Sequence, residues 1–197
     1  MENFMRYKGR NHIEFSCDDV KNVTVVLGDN TVGKTTIAQA FRWGLYGALM
    51  ANGTKSAGDF QLLNTDILEM MDANSRAKVK VEIAAVDEEK RYIITRETTY
   101  TRAFPKLESR EFQKKCAMRI TELEDMESYV EVDSNEIETL INELFPKNLS
   151  HYFLFDGERW NDVSVGGVRE NIKESVHILT GLSASVSYTH LTLPTIR

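Results

Sequence analysis

The sequence predicts an α/β fold, with an N-terminal β-meander leading into a parallel core sheet. Three observations predict it. "VTVVLG" (Val23 to Gly28) is an apolar, β-branched run of the kind found in strands covered on both faces. A glycine-bounded loop and a stretch of helical period follow it directly. Further on, "KVKVEIAAVDEEKRYIITRETTYTR" (Lys78 to Arg102) alternates, turns and alternates again, which reads as a hairpin.

The elements follow in order. "MENFMRY" opens in what reads as the end of a strand, so Met1 need not be the natural start. "HIEFS" (His12 to Ser16) alternates like a half-buried strand. After the loop, Ile37, Ala40, Phe41, Gly44, Leu45 and Ala48 share one helical face, and Gly47 and Gly53 loosen the chain beyond it. "DSNEIETLINELFP" (Asp133 to Pro146) reads as a helix. Asp133 can cap it and Glu136 can answer three residues on. Ile137, Leu140, Ile141 and Leu144 form its buried stripe, and Pro146 ends it. "YFLF" (Tyr152 to Phe155) is the next buried strand, and Val168 to Leu182 a final helix. No internal repeat is visible.

The bulk numbers narrow the function classes. A chain of 197 residues is long enough for one domain with a real core. A net charge of −6 excludes a chain that is basic overall, so any nucleic-acid contact is a local patch. Cys17 and Cys116 form no metal or redox spacing and read as ordinary thiols of a reducing compartment. No apolar run reaches membrane length and no signal peptide opens the chain, so a cytoplasmic protein without a membrane partner is expected. The last stretch, "SVSYTHLTLPTIR" (Ser185 to Arg197), breaks from what precedes it. It resembles the in-frame translation of a sequencing-library transposase adapter and is set apart from the fold.

"GDNTVGKTT" (Gly28 to Thr36) contains G-x-x-x-x-G-K-[ST] in full, between a predicted strand and a predicted helix. By average usage the pattern arises by chance in roughly one chain in a hundred of this length. The spacing serves phosphate chemistry. Backbone N–H groups of Gly28, Asp29, Asn30, Thr31, Val32, Gly33, Lys34, Thr35 and Thr36 can wrap a β-phosphate, and the glycines permit the close approach. Lys34 reaches the β- and γ-phosphates, and the Thr35 hydroxyl is a magnesium ligand. The helix N-terminus adds its positive end. The cofactors implied are ATP and Mg2+. Thr31 stands where a glycine would ease the loop, so Thr31→Gly is expected to tighten or leave unchanged the affinity for ATP.

A complete site also needs a carboxylate for the metal. "IAAVDEE" (Ile83 to Glu89) has the pattern, but Val79, Val81 and Ile83 alternate with Lys80 and Glu82. That is a one-faced antiparallel strand, with Asp87 to Lys90 as its polar turn. "YFLFDGE" (Tyr152 to Glu158) is apolar on both faces and delivers Asp156 at its tip, with Gly157 allowing a sharp turn. It reads either as an aromatic core strand with an ordinary turn, or as the strand that brings Asp156 to the magnesium or the attacking water. Lys34, Asp156 and Glu158 are the candidate catalytic groups, and Thr35 and Asp156 the candidate metal ligands.

Taken together, "NFMRYKGRNHIEFS", "VTVVLGDNTVGKTTIAQAFRWGLYG", "LFPKNLSHYFLFDGE" and "NIKESVHILTGL" resemble the N-terminal half of an SMC-type ATPase head. They are similar to SbcC-type repair ATPases, and most of all to the DndD-like branch associated with DNA sulfur modification and defence. The resemblance spans nearly all of residues 3 to 182, though its middle is poorly matched. It implies a P-loop NTPase half-domain of ABC/SMC type over residues 1–184, with the coiled coil and C-terminal lobe absent. It makes "FLFDGE" the equivalent of a magnesium-sensing loop that often carries a Gln. It makes "NFMRYKG" a strand-turn that touches nucleotide, with Arg6 or Lys8 as the contact. A serine-glycine signature motif, a Walker B strand and a histidine switch are not found. The implied function is ATP-driven dimerisation of two heads that gates DNA engagement. A second head, DNA, and a nuclease or modification protein are the implied partners.

Arg96, Arg102, Lys106, Arg110, Lys114, Lys115 and Arg119 stand against three acids in the same stretch, with Tyr100, Phe104 and Phe112 interleaved. This reads as a DNA-facing patch or as a solvated surface with core aromatics. The rival to the whole reading is a self-contained small P-loop kinase or NTPase with Asp156 as its Walker B acid. No guanine-specificity motif N-K-x-D is present.

Overall fold

The computed structural model describes residues 1–18, 20–30, 32–49, 61–87, 89–103, 108–125, 127–150 and 154. The chain divides into two units, Met1–Phe145 and Pro146–Arg197. The first is built on a six-stranded sheet in the order β2-β1-β3-β4-β5-β6. The strands are β1 (Glu2–Phe4), β2 (Tyr7–Arg10), β3 (Arg76–Asp87), β4 (Lys90–Ala103), β5 (Glu108–Glu122) and β6 (Val130–Glu131). Every pairing among them is antiparallel. Among the described residues three helices accompany the sheet: α1 (Lys34–Tyr46), α2 (Thr65–Met70) and α3 (Ile137–Leu144).

The β3–β4 hairpin is the one that the alternation predicts. Its two strands pair from Arg76↔Thr101 to Asp87↔Lys90, so Asp87 lies at a turn and not at the tip of a buried strand. Val79, Val81 and Ile83 of β3 are buried and face the same way as Ile94 of β4 and Met118 of β5. The opposite face is polar, with Lys78 bridged to Glu97 at 3.2 Å and Lys80 to Glu82 at 2.7 Å. A sheet with one apolar face must bury it against another layer. Here α1 packs on β3 and β4, and α3 on β5.

Phe4, Trp43, Leu63, Ile94, Met118, Ile137 and Ile141 belong to one core. Each such side chain removed from water is worth about 1.5–3 kcal/mol. The Phe4 and Trp43 rings lie 5.6 Å apart and tie β1 to α1. Gly44 explains how closely α1 approaches the sheet, because a Cβ there would lie 2.7 Å from Ile83 Cδ1 and 3.0 Å from Val81 Cγ1.

Three expectations are corrected. Val23–Gly28 and His12–Ser16 are not strands. Val23, Val25 and Leu27 are largely exposed. The chain there is hooked by local bonds: Thr24 Oγ1 accepts from Ser16 N at 2.8 Å, and Asp18 Oδ1 accepts from Val20 N and Lys21 N. A strand apolar on both faces needs neighbours at both edges, and none pairs with this run among the described residues. Secondly, Asp133 does not cap α3. Its carboxylate accepts from Asn135 N at 3.1 Å, one turn too early, and α3 starts at Ile137 without a side-chain cap. Thirdly, the arginines at 96 and 102 are not a free basic surface, as set out below. The stripe of α3 is as expected, with Ile137 and Ile141 buried and Leu140 and Leu144 packed against the core.

In the second unit, Lys147–Leu149 form a 3-10 turn after Pro146, and Leu154 N donates to Ser150 O at 2.9 Å. The "FDGE" block, the final helix and the last thirteen residues lie outside the described residues, as does Thr31.

Candidate functional site

The loop at residues 28–36 leads into α1, whose first residue is Lys34. Gly33 stands at the cap position with φ 114°, a conformation that L side chains rarely adopt. A Cβ on Gly28 would lie 2.7 Å from Val32 Cγ2, so the glycine lets the loop fold back on itself. Lys34 Nζ lies 2.6 Å from the carbonyl oxygens of both Gly28 and Asp29 and donates to them. Lys34 and Thr35 are exposed, while Thr36 is buried toward the core.

The donor set decides whether these residues suit a nucleoside triphosphate with magnesium. α1 begins with no side-chain cap and no acid in its first turn. Its first amides have no partner within the helix, at its positive end. One ammonium and one exposed hydroxyl stand beside those amides. Anionic phosphate oxygens accept from such groups, and a hydroxyl can ligate a hard cation. The residues fit. Lys34 would hold phosphate oxygens and Thr35 would hold the metal, which supplies charge neutralisation there. Asp156 and Glu158, the other members of the expected set, lie outside the described residues.

The β1–β2 turn flanks the loop. Arg6 is exposed there, and its Cβ lies 3.5 Å from where a Cβ on Gly33 would be. Lys8 points elsewhere, 3.7 Å from Asp66 Oδ2 and 3.6 Å from Met70 Sδ of α2. Of Arg6 and Lys8, the structure brings Arg6 to the loop.

The far end of α1 is held by β4. Arg96 Nε donates to Gly44 O and its Nη2 to Leu45 O, each at 3.1 Å. Gly47 closes the helix at φ 65° and donates to Trp43 O. Arg102 does the same for α2, its Nη1 donating to the carbonyls of Glu69 and Met71. A cation on the last carbonyls of a helix satisfies orphan acceptors and opposes the negative end of its dipole. Elsewhere in the basic stretch, Lys114 pairs with Glu111 at 2.8 Å, and Arg119 lies 3.8 Å from Glu131 and 5.0 Å over the Tyr129 ring.

Sequence reasoning missed these two capping arginines. The signal was present, because Arg96 lies two residues from the buried Ile94 and Thr98, at a position of the core-facing alternation where a charge must find partners. It also missed Asn64, whose Oδ1 accepts from Asp66 N and Ile67 N to cap α2, while its Nδ2 donates to Met5 O at 2.7 Å. Both cysteines, Cys17 and Cys116, are free thiols. Burial pushes the Cys116 thiol up, with Arg96 pulling the other way, which leaves a poor nucleophile.

Among the described residues no three His, Cys, Asp or Glu side chains are grouped to hold a metal ion, and no helix is long and apolar enough to cross a membrane. No curated protein matches the chain. Its sequence matches the AAA domain family over residues 1–180, which includes the loop, α1, the antiparallel sheet and the "FDGE" block. The chain therefore belongs to the AAA domain family, as a P-loop ATPase of the SMC/SbcC-like kind.

Proposed function

We propose that this chain is the ATP-binding half of a DNA-associated SMC-like ATPase of the DndD-like branch, acting in DNA repair, modification or defence. In this reading ATP and Mg2+ sit at residues 28–36, with Thr35 and Asp156 as the metal ligands. Arg6 lies at the nucleotide's flank, and Asp156 and Glu158 sense the γ-phosphate. A C-terminal lobe, reached through a coiled coil, completes the head. ATP closes two heads on each other and gates DNA engagement in the cytoplasm, beside a nuclease or DNA-modification protein.

One observation carries the proposal. A complete phosphate loop opens an uncapped helix, with the Arg6 turn packed against its Gly33. The test is a titration of the chain with a fluorescent ATP analogue in magnesium, followed by a turnover assay. Saturable binding that Lys34→Ala removes, with negligible turnover until the C-terminal half is supplied, is the expected result. Steady turnover by this chain alone refutes it, and favours the self-contained enzyme with Asp156 as its Walker B acid.

A further inference from the structure

We infer that Tyr7 is a positioning residue of the phosphate loop, an inference that rests on reading residues 28–36 as a nucleotide site. Tyr7 opens β2, immediately after the turn at Met5 and Arg6. Its hydroxyl donates to Gly33 O at 3.4 Å, and its ring edge lies 3.3 Å from where a Cβ on Gly33 would be. Gly33 O is also the acceptor for Ile37 N, the bond that closes the first turn of α1. One carbonyl thus joins Tyr7 to the start of the helix.

This matters because α1 has no side-chain cap of its own. Helices ordinarily fix their first turn with a Ser, Thr, Asp or Asn whose oxygen occupies the free amides. Such an oxygen would compete with phosphate for the same donors. Tyr7 acts from the opposite side of the peptide. It holds the carbonyl of Gly33 and leaves the N–H groups of the first turn available. The glycine needs that support, since φ 114° is one of many conformations it could adopt.

Tyr7 is itself held. Met5 N donates to Leu62 O at 2.7 Å, Asn64 Nδ2 donates to Met5 O at 2.7 Å, and the neighbouring Phe4 is fully buried against Trp43 of α1. The turn and the helix therefore share one core. The ring and hydroxyl of Tyr7 act on Gly33 from a fixed point.

The test uses the full chain with a fluorescent ATP analogue, and inorganic tripolyphosphate as a competitor. The variants are Tyr7→Phe, Tyr7→Ala and Lys34→Ala, each with its melting temperature. Tyr7→Ala is expected to weaken both ligands about tenfold and Tyr7→Phe about threefold, the scale of one lost hydrogen bond and its packing. The melting temperature of Tyr7→Phe, which keeps the ring, should stay within about 3 °C of wild type. Equal loss for ATP and tripolyphosphate marks an effect on the phosphate amides. Loss for ATP alone overturns the inference in favour of contact with the base. Loss that follows a fall in melting temperature overturns it in favour of a packing role. Unchanged affinity in Tyr7→Ala, while Lys34→Ala abolishes binding, refutes the inference and leaves the nucleotide site standing. Binding that Lys34→Ala does not affect refutes the nucleotide site itself, and the inference with it.

Discussion

Arg96→Ala tests whether the basic stretch is architecture or surface. The half-buried guanidinium donates to Gly44 O and Leu45 O at 3.1 Å each, at the negative end of α1. Losing two such bonds costs about 1 kcal/mol each, and the helix-end charge adds about 0.3–1 kcal/mol. The sum is about 2–3 kcal/mol, before any loss of packing by the side-chain stem. For a chain of this size that lowers the melting temperature by about 5–10 °C. Arg96→Lys keeps the charge but not the planar fork, so it should recover less than half of the loss. The assay is thermal unfolding followed by circular dichroism, with wild type, Arg96→Ala and Arg96→Lys side by side. An Arg96→Ala melting temperature within about 1 °C of wild type refutes the capping role, because no smaller estimate follows from two bonds and a charge.

Four further outcomes are expected. Lys34→Ala should weaken nucleotide binding about 10- to 100-fold, the scale of a charged hydrogen-bond donor, in equilibrium titration. Gly44→Val should destabilise by about 1–3 kcal/mol in urea unfolding, because its methyls have no room beside Ile83 and Val81. Burial pushes the Tyr46 hydroxyl up to about 12, against the pull of Arg42, and it pushes Tyr100 up as well, with Glu111 adding to the rise. A phenol whose folded pKa is raised contributes stability that is complete below its ordinary value near 10. That stability is lost as pH rises toward 12, so Tyr46→Phe should flatten the alkaline fall in melting temperature. Charge reversal at Lys114 and Lys115 in the complete protein should weaken DNA binding about tenfold at low salt, and unchanged binding in a filter or anisotropy assay rejects a DNA role for that strand.

How far the sequence could be read depended on whether a segment's partners lie near it in the chain. The phosphate loop and α1 were legible because their chemistry is local: glycines, a lysine and a helical period. The β3–β4 hairpin was legible for the same reason, since each strand's alternation is answered by the next. β5 was not. Its register with β4 slips between Thr99 and Tyr100, and lysines at 114 and 115 mask the alternation, so it read as a basic patch. Six-residue α2 is too short to show a period and is set by its own cap, Asn64, and by Arg102 of β4. Val23–Gly28 was misjudged because apolar continuity reports what a segment could bury, and burial also needs partner strands.

Glu2 pairs with Lys80, and α1 rests on β3 and β4. The loop and its helix therefore leave the ribosome well before the strands they lie on. Until Arg76–Ala103 emerge, α1 has no sheet beneath Gly44 and no arginine at its end, and a helix of 13 residues is marginal alone in water. The hairpin, whose contacts are close in sequence, can form as soon as it appears, and the pairing of β1 must wait for it. During synthesis the nucleotide loop is thus made before the strands that carry its helix and is among the last parts to be fixed. Destabilising the hairpin should slow the appearance of ATP binding more than it lowers the final affinity.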